Sequence, residues 1–171
     1  MVGMFQDNKG YTLIELTVVI IMIGLLMTLV VPRFQYSLLT DDLKATTRRM
    51  VGTIREVRNE AIREQKTHTL HFDFESNRFW VDSFGMTEEE RTIARGNATA
   101  LPPTVRIQDV WKHGEGKKMT GETLIRCNKN GYLQQSVIHL GSEDGRQFTL
   151  VLRPFLGKVK VLEDYVDFEE Y

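Results

Sequence analysis

The chain has little of what sites of chemistry are built from. Among 171 residues the single cysteine is Cys127, which excludes an intrachain disulfide and any multi-cysteine zinc site. In a strand-like run it reads as a small core residue. There are four histidines, His68, His71, His113 and His139. His68 and His71 stand three apart in a β-rich run, so they point to opposite faces and cannot share one metal ion without a bend. No Gly-x-Ser-x-Gly nucleophile motif occurs. Residues 113–121 carry glycines and lysines, but Trp111 occupies the place of the first glycine of a phosphate loop, and Lys118 is not followed by serine or threonine. The sequence therefore offers no catalytic residue, no cofactor site and no metal site. The net charge is −1, so no overall excess of either sign points to a partner.

Charge is also missing from residues 11–31, where Glu15 is the only charged side chain. At about 1.5 Å per residue this stretch reaches roughly 30 Å, the thickness of a bilayer's hydrocarbon core. It reads as a transmembrane helix. A cleaved secretory signal fits poorly: Lys9 is the only basic residue ahead of the run, the run is too long, and Thr28-Leu29-Val30-Val31-Pro32 is a poor cleavage site. A carboxylate within such a segment costs a few kcal/mol unless it finds a partner, which makes Glu15 a functional candidate.

Past Pro32 the apolar residues thin to one stripe, Leu39, Leu43, Met50, Ile54, Val57 and Ala61, at helical spacing. Residues 32–66 are thus expected to continue the helix in amphipathic form. Arg48, Arg55, Arg58 and Arg63 fall largely off the stripe and read as a solvated face. A single helix over 11–65 would be roughly 80 Å long, too long to bury in a domain of this size. Its first half must lie in lipid or against other copies, and its second half must pack on the chain's own head. Pro32 removes a helical hydrogen bond and is expected to kink the helix, with Gly24 a second weak point.

From residue 67 the pattern changes to short β-rich runs separated by turn residues. Strands are expected at 67–74, 78–84, 105–111, 122–127, 135–140, 146–153 and 158–163, with turns at 75–77, 128–131, 141–145 and 154–157. Residues 85–103 read as a long surface loop with a short helix near 87–94. The fold class is α+β: a long N-terminal transmembrane and amphipathic helix, then a small, mostly antiparallel β-sheet head over 67–171.

Gly10, followed by Tyr11 and Thr12-Leu13-Ile14-Glu15-Leu16 ahead of the apolar stretch, resembles the processing site of type IV pilins and pseudopilins. Tyr11 stands where phenylalanine is commoner. The resemblance implies a leader over 1–10, cleavage behind Gly10 by a prepilin peptidase, N-methylation of Tyr11, and use of Glu15 in assembly. The residues agree with that role: a new ammonium on Tyr11 at bilayer depth and a carboxylate from another subunit would neutralise each other and set the register between helices. A simpler reading leaves Glu15 in the interfacial region near a helix start. The runs 122–131, 135–140, 146–153 and 157–161 resemble the closing strands of the GspH/FimT-type minor pseudopilin domain.

The implied function is structural, not enzymatic. It is that of a minor pseudopilin in the periplasmic pseudopilus of a type II protein secretion system, single-pass in a bacterial inner membrane with its head in the periplasm. Implied partners are other pilin-like subunits through their N-terminal helices, the prepilin peptidase, the inner-membrane assembly platform and membrane lipid. A minor pilin of a type IV pilus, serving assembly, adhesion or DNA uptake, is the alternative with the same fold, and a membrane-anchored sensor or enzyme is the more distant one. Nucleic-acid binding is disfavoured by the run 163–171, which has five acids and no base, although Lys117, Lys118, Lys129, Lys158 and Lys160 leave room for a local basic patch. The acidic tail reads either as a solvated end or as a strand that docks on a neighbour. Residues 85–104 are a candidate for partner specificity.

Overall fold

Helix α1 spans Leu13–Glu64, 52 residues. Thr12 precedes it and accepts the Glu15 N–H on its hydroxyl at 3.3 Å, as an N-cap does. Just past its end Gln65 takes φ 54°, and its side-chain amide donates to the Ile62 carbonyl at 2.8 Å, occupying one of the carbonyls a helix end leaves open. The computed structural model describes residues 12–154 and 158–167, and for 27–41 the backbone alone. Pro32 falls within α1, but the kink expected there, the Leu39 side chain and the turn at 155–157 lie outside the described residues. The chain divides into two compact units, Met1–Leu38 and Leu39–Tyr171.

Among the described residues of the second unit, nine strands follow the helix: β1 (His68–Asp73) and β2 (Arg78–Ser83), then helix α2 (Glu88–Gly96), β3 (Thr99–Ala100), β4 (Val105–Lys112), β5 (Gly116–Lys118), β6 (Glu122–Cys127), β7 (Ser136–Ser142), β8 (Gln147–Leu152) and β9 (Val159–Leu162). They form two sheets, ordered β3-β2-β1-β6 and β5-β4-β7-β8-β9. Every pairing is antiparallel. The expected single β head is therefore a pair of sheets. Residues 85–103 hold α2, opened by a reciprocal Thr87–Glu90 capping box, and the short β3. The loop expected over 113–121 includes the edge strand β5.

The helical stripe packs as its spacing requires. Leu43, Met50, Ile54, Val57 and Ala61 are at most 2% exposed and join one core with Leu70, Phe72 and Ile125 of the first sheet and Val110, Ile138 and Leu150 of the second. Each such side chain contributes roughly 1.5–3 kcal/mol by leaving water, so the amphipathic half of the helix is fixed to the sheets by its own apolar face. Asn77 adds a polar tie. It sits at φ 49° in the β1–β2 turn, a conformation asparagine tolerates. Its amide nitrogen donates to the Val105 carbonyl at 2.7 Å while its oxygen accepts from the Ile107 N–H at 3.1 Å. The side chain thereby pairs with β4 as a strand backbone would.

Arg58 departs from the solvated face expected of the off-stripe arginines. Its Nε donates to the Gly131 carbonyl at 3.0 Å, across 73 residues, tying the helix to the turn after β6. Arg48, Arg55 and Arg63 are exposed, as expected.

Candidate assembly site

At the start of α1 the helix is apolar on every side. Leu13, Ile14, Leu16, Val18, Val19 and Ile20 are all between 46% and 85% exposed, and Ile21, Met22, Ile23, Leu25 and Leu26 continue the pattern. A helix that is hydrophobic all round is stable in water only when lipid or other protein covers it. Glu15 stands in the first turn, where a negative side chain is favoured by the helix dipole. It is exposed and is the one charge in the described apolar stretch. Its placement three residues after the Thr12 cap brings its backbone N–H to Thr12 and leaves its carboxylate on the helix surface.

The described residues include no helix long and apolar enough to cross a membrane. Of the transmembrane span expected at 11–31, Tyr11 and the side chains of 27–31 lie outside the described residues. The leader 1–10, Gly10 and Tyr11 lie outside them as well.

The head carries polar clusters that spacing alone did not show. His68 and His71 face opposite sides of β1, as alternation requires. His68 lies over the helix end, with Nε2 3.3 Å from a Glu64 carboxylate oxygen. His71 lies between Glu122 and Asp82, at 3.1 and 3.0 Å, and stacks on Trp80 with ring centres 5.0 Å apart. Among the described residues no group of three or more His, Cys, Asp or Glu side chains can hold a metal ion. Cys127 is fully buried, and burial pushes its thiol up from the ordinary range, which keeps it a protonated core residue.

Over 163–167 the C-terminal segment docks on its own sheet, chiefly through its backbone and Tyr165, while the side chains of Glu163, Asp164 and Asp167 stay exposed. After β9 this segment crosses back over the outer face of the five-stranded sheet. The Thr149 hydroxyl of β8 donates to the Asp164 carbonyl at 2.6 Å and accepts the Val166 N–H at 3.1 Å. The Val166 carbonyl faces His139 Nε2 of β7 at 3.0 Å. Tyr165 stacks on the His139 ring at 4.0 Å between centres, and its hydroxyl donates to Asp109 of β4 at 3.2 Å. At the far edge Lys117 of β5 pairs with Asp167 at 3.0 Å. The Tyr165 hydroxyl and the Asp167 carboxylate hold the Lys117 ammonium above the usual lysine range, and burial pushes the Tyr165 phenol up. Residues 168–171 lie outside the described residues.

The lysines that left room for a local basic patch are dispersed by this topology. Lys117 and Lys118 sit on β5, Lys158 precedes β9 and Lys160 lies within it, and these are opposite edges of the same sheet. Four strand spacings separate them, about 19 Å.

Residues 6–31 match the family described as the prokaryotic N-terminal methylation motif. No curated protein sequence matches the chain. Two solved structures of the minor pseudopilin EpsH from the type II secretion system of Vibrio cholerae share the fold. One aligns at a TM-score of 0.55 and 12% identity over 75% of this chain and 98% of its own. The other aligns at 0.55 and 11% over 74% and 100%. The chain thus carries a prokaryotic N-terminal methylation motif ahead of a head with the minor-pseudopilin fold.

Proposed function

We propose that this protein is a structural minor pseudopilin, a subunit of the periplasmic pseudopilus of a type II protein secretion system. The observation that carries the reading is the position of Glu15, five residues after Gly10, as the one charge at the start of an exposed, apolar helix within the matched motif. A prepilin peptidase cuts behind Gly10, and the new Tyr11 amine is methylated. Residues 11–31 hold the unassembled subunit in the inner membrane with the 67–171 head in the periplasm. On extraction from the bilayer, Glu15 of one subunit neutralises the Tyr11 ammonium of another, since either charge alone is strongly penalised at that depth. The pairing sets the axial register, and the apolar faces of neighbouring helices replace lipid around Leu13–Leu26. The protein has no catalytic role in this scheme. Its work is to occupy a place in the filament, with other pilin-like subunits and the inner-membrane platform as partners.

The test is the intact mass and N-terminal residue of the membrane-bound protein, with and without an active prepilin peptidase. A peptidase-dependent start at methylated Tyr11 is expected. A chain still beginning at Met1 in cells with active peptidase removes the amine that Glu15 needs and overturns the scheme. An export defect without a motility defect in the deletion strain is expected, and the reverse would place the subunit in a type IV pilus.

A further inference from the structure

Beside the helix, on the β9 side of the head, is a groove of about 480 Å³. Its helical wall presents Lys44, Arg48 and Arg55, its floor is apolar with Phe148 and Val161, and Glu163 is its one acid. Among the described residues no carboxylate pairs with any of the three cations. The Thr47 hydroxyl in the lining is buried and has no hydrogen-bond partner among them. Gly52 opens the middle of the wall, and a Cβ added there would meet nothing within 4 Å.

The other wall is β9, among the described residues the outermost strand of the five-stranded sheet, whose far side offers backbone donors and acceptors to a further strand. Its side chains alternate. Val161 lies opposite the core residue Leu150 and lines the groove, while Lys160 lies opposite Val151 on the outer face. A strand added to β9 would therefore send every second side chain toward Lys44, Arg48 and Arg55, and the others alongside Lys160 and the exposed Lys158.

We propose that this groove and the β9 edge together dock an extended, acidic segment of a neighbouring subunit by strand addition, with carboxylates on both faces of the incoming strand. Cations on both sides of the edge repel a second copy of the same edge, so they select against self-pairing as well as for an acidic strand. The neighbour's being a filament subunit rests on the function proposed above; the chemistry the groove selects does not.

The experiment uses the full chain in detergent micelles and a fluorescein-labelled eight-residue peptide, Glu-Glu-Val-Val repeated twice, which as a strand carries glutamates on both faces, read by anisotropy. Saturable binding that weakens with salt is expected. Arg48→Glu with Arg55→Glu should weaken it at least tenfold. Gly52→Leu should do the same by filling the groove, without lowering the melting temperature, because leucine is the better helix residue. Absence of binding, equal binding of a lysine–valine peptide, or wild-type affinity in both variants overturns the proposal. Displacement of the peptide by a 20-base-pair DNA duplex with the same variant sensitivity would assign the groove to nucleic acid instead. These readings are made on unassembled protein, so they fail independently of the filament scheme, which fails on an uncut N-terminus.

Discussion

His139 and Asp109 face each other directly on adjacent strands, with Nδ1 2.6 Å from Oδ1 and both side chains at most 2% exposed. The other ring nitrogen faces the Val166 carbonyl. An acceptor thus faces each ring nitrogen, and the ring bridges the Asp109 carboxylate and the tail backbone. The pair therefore links two strands of the sheet to the segment that crosses them. His139→Leu leaves Asp109 buried with Tyr165 as its remaining side-chain hydrogen-bond partner, and breaking a buried pair from one side costs about 3–5 kcal/mol. Denaturant unfolding should show a loss of that order, and Asp109→Leu with His139→Leu should recover part of it. A loss below about 1 kcal/mol in the single variant would mean the pair does not hold the sheet and tail together.

Gly131 should lose stability on gaining a side chain. Its φ is 79°, and an added Cβ would lie 2.6 Å from Ile62 Cδ1 and 3.3 Å from Arg58 Cγ. Gly131→Ala therefore combines left-handed strain with a clash against the helix that Arg58 ties to the same residue. The expected cost is about 2 kcal/mol in chemical denaturation. Gly114→Ala, which shares a positive φ of 81° but meets open space, should cost about half as much. Equal losses would show that crowding at Ile62 adds nothing.

In acid, the turn between β7 and β8 should weaken through Asp144. Its carboxylate accepts the Arg146 Nε–H at 2.7 Å and backbone N–H at 3.1 Å. The Arg146 side chain, first among the causes, holds the Asp144 carboxyl below the usual carboxylate range. A carboxyl with a depressed folded-state pKa stabilises the fold above its unfolded value, near 4, and loses that contribution as pH falls through the folded value. Asp144→Asn should thus melt below wild type at pH 6, and the gap should close as pH falls past the unfolded value and through the depressed folded one. A gap of constant size across that range would assign the loss to packing and not to charge.

The helix stripe, the hydrophobic runs and the turn residues were legible because their information is local. Leu43, Met50, Ile54, Val57 and Ala61 recur at the helical period, and the runs at 105–111 and 122–127 end within a residue of β4 and β6. What escaped depends on residues far apart in sequence. Simple alternation places Asp109 on the core side with Val105 and Ile107, but an irregularity between Ile107 and Asp109 inserts Gln108 and turns Asp109 to the outer face. Only then can it meet His139 and the tail. The division into two sheets, the short β3 and β5, and the Arg58–Gly131 bond likewise depend on pairings that composition does not encode. For the candidate assembly site the balance is reversed: Gly10, Tyr11 and Glu15 stand out in sequence, whereas of these the structure describes Glu15 alone.

Glu15 has two physical roles available to it, and one substitution separates them. It lies three residues after Thr12, whose hydroxyl accepts its N–H, the spacing of a capping box in which glutamate and glutamine serve alike. Neutralisation of a Tyr11 ammonium needs the negative charge. Glu15→Gln therefore keeps the length and capping ability of the side chain but removes what a neighbouring subunit would pair with. If register is set by charge, the Gln variant should enter the membrane and be cleaved as wild type does, yet fail to appear in sheared or overproduced filaments. Glu15→Ala should fail in the same way. Normal incorporation of Glu15→Gln alongside failure of Glu15→Ala would make Glu15 a helix-start residue and leave the register to the apolar faces alone.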